Sequence, residues 1–140
     1  MNYIPKYFTL KELTPIGFPQ RWENFDDRIL RSADDLRRVF GPLWCNGYGL
    51  DQCGLRIDGS MTSQHKFGRA LDLHSNKYSS FEIRKFIIEN PKMFPYITFL
   101  EVDRSWVHVD TRNCDPIQLW SPKRGFIDKE EYLKAGDLIK

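Results

Sequence analysis

The sequence predicts a small α+β domain, a mainly antiparallel sheet with flanking helices. Three observations carry that expectation. A helical hydrophobic period runs through 24–40, alternating patterns fill "RALDLH" and "WVHVDTR", and a second helix start, "SSFE", stands between those strands. The 140 residues suit one domain, 1–140, and a hydrophobic content of 41% with 14% aromatics supplies a core.

Taken in order, "TLKE" at 9–12 has the form of a capping box, with Thr9 as cap and Glu12 reaching back, and Pro15 stops that short helix. From Asn24 to Phe40 the residues Phe25, Ile29, Ala33, Leu36 and Phe40 recur at steps of three and four, one face of a helix. Asp27 with Arg31 and Asp34 with Arg38 stand four apart and predict an exposed opposite face. Gly41-Pro42 ends the helix. Residues 43–62, with "NGYG" and "DG", read as loops and short strands. "RALDLH" is a strand, and "SSFE" at 79–82 caps a helix that Pro91 closes. "YITFLEV" and "WVHVDTR" form a hairpin around "DRS". "PIQLW" adds a strand before a charged tail with a short helix at 128–134.

Charge and cysteine content narrow the function classes. Twenty-one basic and 19 acidic residues leave a net charge of +2, without the basic stripe of a nucleic-acid binder. No apolar run approaches the ~18 residues of a membrane span, and "MNYIPKYFTLKEL" lacks the layout of a secretory signal. The expectation is synthesis in the cytoplasm, with no membrane or nucleic-acid partner and a monomer favoured. Cys45, Cys53 and Cys114 are odd in number and lack CxxC spacing, so they read as buried free thiols.

The three histidines, His65, His74 and His108, all fall in "SQHKFGRALDLH" and "WVHVDTR". In an alternating strand Asp72 faces away from Leu71 and Leu73, together with Ala70 and His74. Small Ala70 leaves room beside Asp72, Gly68 permits a bend that returns His65 towards it, and His108 can join from the later strand. Two imidazoles, a carboxylate and an open position are what a catalytic zinc needs. Each residue alone also reads as a hydrogen-bonded histidine or a paired carboxylate, and spacing leaves both readings open.

"SQHKFGRALDL" resembles the SxHxxGxAxD motif of the LAS-group zinc peptidases. These include D-Ala-D-Ala carboxypeptidases, phage L-Ala-D-Glu endopeptidases and the related zinc-binding hedgehog domain. Ser63, His65, Gly68, Ala70 and Asp72 fall on the pattern. "WVHVD" is similar to the second motif, and "YFTLKEL" to the FxLxE opening of many wall peptidases. The likeness covers roughly 7–112 and leaves the tail 113–140 aside.

The resemblance implies a hedgehog/DD-peptidase-like fold that binds Zn2+ through His65, Asp72 and His108. It also implies a carboxylate base just before the last histidine. Some members carry that acid three residues earlier, where this chain has Ser105. Glu101 is favoured, since it would lie in the preceding strand almost opposite Val107 and His108. Asp103 is the alternative and suits a turn equally well. Arg56, in "GLRIDG", resembles the family arginine upstream of the histidine motif, at a shorter spacing than in many relatives. A guanidinium there suits a substrate carboxylate or an oxyanion. His74 has no family role. Asp110 shares a strand face with His108, as a partner of that ligand or a plain structural group. Trp106 is expected to pack under the zinc strand.

The implied activity is hydrolysis of peptidoglycan stem or cross-bridge peptides by a phage or prophage wall-degrading enzyme. It would reach the wall after holin-mediated release or as a virion component. The alternative is a zinc-binding but non-catalytic structural or binding protein on the same fold.

Overall fold

Local caps start the helices in a computed structural model that describes residues 3–45, 54–56 and 63–138. Thr9 Oγ1 accepts from the Glu12 N–H at 3.3 Å and opens α1, Leu10–Leu13. Asp26 caps α2, Asp27–Phe40, which ends at Gly41 in a positive-φ conformation. Ser79 and Glu82 form a complete capping box at the start of α3, Ser80–Glu89. Asp128 caps α4, Lys129–Ala135.

Six strands form one sheet: β1 (Trp44–Cys45), β2 (Ala70–His74), β3 (Phe99–Glu101), β4 (Val107–Asp110), β5 (Gln118–Ser121) and β6 (Gly125–Ile127). Their spatial order is β1-β2-β4-β3-β5-β6, antiparallel throughout except for the parallel β3–β5 pair. The strands of the expected hairpin are shorter than their patterns, because 102–106 bends between them. "NGYG" and "DG" lie outside the described residues, as do Cys53 and the Cys45 side chain. Cys114 is a free thiol that donates to the Thr98 carbonyl.

One face of the sheet is the core. Leu71, Leu73, Leu100, Val107, Val109 and Leu119 pack in one core with Phe25, just before α2, and with the α2 stripe Ile29, Ala33, Leu36 and Phe40, all buried. Phe40 also stacks on Phe94 and meets Phe86 and Tyr78 edge-on. Burying the leucine, isoleucine, valine and phenylalanine side chains among them stabilises the fold by about 1.5–3 kcal/mol each.

The opposite face of α2 departs from expectation. Asp34 is fully buried, and its carboxylate accepts from the Tyr3 hydroxyl and from the backbone N–H groups of Lys6 (2.9 Å) and Tyr7 (3.2 Å). Arg38 pairs with Asp35 instead, while Asp27 accepts from the Tyr3 N–H and Arg31 covers the Tyr3 ring. The N-terminal segment folds over this face, which an i,i+4 pattern cannot reveal.

The C-terminal segment is part of the same body. β5 is the predicted "PIQLW" strand, β6 extends the sheet beyond it, and α4 brings Tyr132 into the core. Fully buried Arg84 joins this segment to the 104–106 bend. It donates to Tyr132 Oη (2.7 Å), Asp137 Oδ2 (2.7 Å), Ser80 Oγ (3.2 Å) and the carbonyls of Arg104 (3.0 Å) and Trp106 (2.9 Å).

Candidate metal centre and cleft

Strand pleating puts the chemistry on the face away from the core. Across the sheet, Asp72 pairs with His108, His108 with Glu101, Glu101 with Trp120, and Trp120 with Phe126. Neighbouring strands lie ~4.8 Å apart, so in-register residues on one face form a row. The row borders a cleft of about 390 Å³ whose walls also include Arg56, His65, Phe99, Arg104, Trp106 and Arg112.

His65 comes to this row from outside the sheet, on the 3-10 turn Gln64–Phe67. Gly68 follows with φ 65, and a Cβ there would lie 2.1 Å from the Asn24 carbonyl oxygen. Only glycine permits both the left-handed turn and that approach. The Asp26 N–H donates to the Gly68 carbonyl at 2.9 Å and fixes the turn against the start of α2.

His65, Asp72 and His108 are buried, and one ligand atom from each lies within 4.8 Å of the others, close enough to hold a metal ion. The donors suit one. His65 Nδ1–H donates to the Gly54 carbonyl at 2.7 Å, which turns Nε2 towards Asp72. That buried nitrogen makes no hydrogen bond and faces Asp72 Oδ2 at 3.2 Å. An imidazole nitrogen and a carboxylate oxygen side by side in a buried site are the kinds of ligand atom that zinc takes.

His108 has the complementary arrangement. Its Nδ1 lies 3.0 Å from Asp72 Oδ1, and its Nε2 lies 2.8 Å from Asp110 Oδ2. Asp110 is itself gripped by Arg112 through Nε (2.9 Å) and Nη2 (2.7 Å). A carboxylate on the far nitrogen orients an imidazole for metal binding. Both rings are thus held by groups behind them, with their remaining nitrogens turned to Asp72.

Electrostatics follow the same geometry. Burial alone would lower the His108 pKa, yet the carboxylates of Asp110 and Asp72 outweigh it and hold the pKa at about 10. Burial alone would raise the Asp72 carboxyl, and the two histidines facing it push it well below the usual carboxylate range. Arg56 also reaches this carboxylate, its guanidinium pairing with Asp72 Oδ2 at the cleft wall.

Glu101 and Asp103 part company. Glu101 lines the cleft beside His108, with Arg104 Nε 3.3 Å from Oε1. Asp103 occupies the turn with φ 62, a conformation Asp tolerates better than most residues. Its buried side chain accepts from Arg124, the Ser121 hydroxyl and the Leu138 N–H. Burial would raise that carboxyl, but the Arg124 pairing leads a set of hydrogen bonds that lowers it to about 2. Asp103 is tied into the C-terminal segment and does not line the cleft.

His74 stacks on Trp44, with ring centres 4.4 Å apart, outside the metal group. Trp106, expected beneath the strand, instead lines the cleft under the Arg104 guanidinium. Sequence reading missed Arg104, Arg112, Phe99, Trp120 and Phe126 as cleft residues. Alternation in "PIQLW" does pair Gln118 with Trp120 on one face, but only the parallel β3–β5 pairing sets Trp120 beside Glu101. The Gly54 carbonyl had no side-chain signal at all.

Comparison with known proteins finds no matching family model, no matching curated protein and no matching solved structure. The functional reading rests on the two histidine motifs and on the cleft.

Proposed function

We propose that this protein is a zinc-dependent peptidase that hydrolyses peptidoglycan stem or cross-bridge peptides. The observation that carries the reading is the row Asp72–His108–Glu101, with His65 closing the metal group and an open cleft in front. Two imidazoles and a carboxylate favour zinc over the hard, oxygen-seeking cations. When bound, zinc supplies a Lewis acid for a peptide carbonyl and acidifies water to a pKa near ~7.

The chain's own groups supply the rest. Glu101 is placed to take a proton from attacking water and return it to the leaving amine. Asp110 keeps the far N–H of His108 hydrogen-bonded, so that ring stays fixed during turnover. Arg56 borders the cleft with a planar donor suited to a developing oxyanion. Peptidoglycan as the substrate, and a phage or prophage wall-degrading role, draw support from the SxHxxGxAxD and WxH motifs.

The test is digestion of purified peptidoglycan of several chemotypes, with released fragments identified by mass spectrometry. Release that a zinc chelator abolishes and added zinc restores is the expected result. An intact wall after incubation with the zinc-loaded protein, across all chemotypes, would turn the assignment to the non-catalytic zinc-binding alternative.

A further inference from the structure

Arg104 and Arg112 sit at opposite ends of the His108–Glu101 pair. Arg104 follows Glu101 in the bend between β3 and β4, and Arg112 lies just past the Phe99–Asp110 pair at the other end. Both line the cleft. The Arg104 guanidinium lies over the Trp106 ring at 5.0 Å, and the Arg112 guanidinium over Phe99 at 3.5 Å. These cation–π contacts hold each guanidinium against a ring and lower the entropy cost of using it.

Among the described residues neither fork is fully used: Arg104 donates through Nε, and Arg112 keeps Nη1 without a hydrogen bond. The Arg104 backbone is fixed by donors from Arg84 and Ser80 to its carbonyl. Both side chains are about one-third exposed (37% and 34%) and both border the cleft.

Charge balance points to the class of ligand. Arg56, Arg104 and Arg112 face Asp72, Glu101 and Asp110 one for one. Among the described residues these six charges cancel, and a divalent ion that displaces the His108 proton leaves the cleft with a positive excess. Such a cleft favours anions, and a guanidinium fork in particular favours carboxylates.

We propose that Arg104 and Arg112 are carboxylate-binding residues, and that the cleft selects acidic peptides with free carboxylates flanking the bond presented to Glu101. This rests on the metallopeptidase reading of the same site and narrows its substrate.

The test uses the zinc-loaded full chain and the tripeptide L-alanyl-γ-D-glutamyl-L-lysine. Two companions have the glutamyl α-carboxylate or the lysyl carboxylate amidated. Binding is measured by titration calorimetry, cleavage by chromatography of the same mixtures, and zinc content for every variant. Each amidation is expected to weaken binding to the wild type by about tenfold or more, the size of a charge-assisted hydrogen bond. One amidation should lose its effect in Arg104→Gln and the other in Arg112→Gln. Arg112→Lys, which keeps a cation beside Asp110, should behave like Arg112→Gln with zinc retained.

Amidation without effect in the wild type, equal effects in all variants, or no binding of any peptide would each overturn the proposal. Carboxylate-dependent binding without cleavage supports it, and the peptidase reading then fails only if the wall digestion is negative as well. Cleavage indifferent to amidation does the reverse.

Discussion

His108 carries the sharpest consequence at the scale of single residues. With its pKa held at about 10 by Asp110 and Asp72, the metal-free protein keeps this ring protonated at neutral pH. The shift is upward, so its contribution to metal-free stability is complete below pH ~6.5 and fades as pH rises through 10. Zinc must displace the Nδ1 proton, because Nε2 stays on Asp110. Apparent zinc affinity should therefore rise about tenfold per pH unit between pH 7 and 9, with about one proton released per ion. Competition with a chelator of known affinity across that range, together with calorimetry in two buffers, measures both quantities. A flat affinity would mean that His108 is not displaced of its proton and is not a ligand.

Elements decide whether those residues meet. The turn Gln64–Phe67 reaches the sheet only because Gly68 takes a left-handed conformation against the Asn24 carbonyl. Gly68→Ala should cost about 2–4 kcal/mol in a denaturant titration and should lower zinc affinity through His65. Unchanged stability would show that the segment relaxes freely. This element was largely legible in advance: Gly68 between a histidine and an alternating strand signals a bend, and "RALDLH" forms the strand its pattern predicts. The period of 25–40 likewise found the core face of α2. Illegible were contacts made by chain far away in sequence. Asp34 looked like a solvated helix charge because nothing local announces that Tyr3, Lys6 and Tyr7 close over it. Glu101 could be placed beside His108 from the hairpin, whereas the burial of Asp103 depends on Arg124 and Leu138.

At the scale of the whole molecule, the C-terminal segment serves the cleft although the motif resemblance stops short of it. Arg84, without any exposed surface, ties α3, Tyr132 and Asp137 to the bend that carries Arg104 and Trp106. Arg84→Ala should destabilise the protein by about 3–5 kcal/mol, since it strands a buried carboxylate and two carbonyls, and thermal unfolding would reveal a smaller effect if water replaced them. The account as a whole joins a metal group on one face of the sheet to a carboxylate in the next strand. Its most direct test measures zinc content and peptide turnover side by side on three proteins. The wild type should hold one zinc ion and cleave. Asp72→Ala should lose both properties, and Glu101→Gln should keep zinc while turnover falls by about 100-fold or more. A wild type that binds no zinc, or a Glu101→Gln protein that cleaves at full rate, would contradict it.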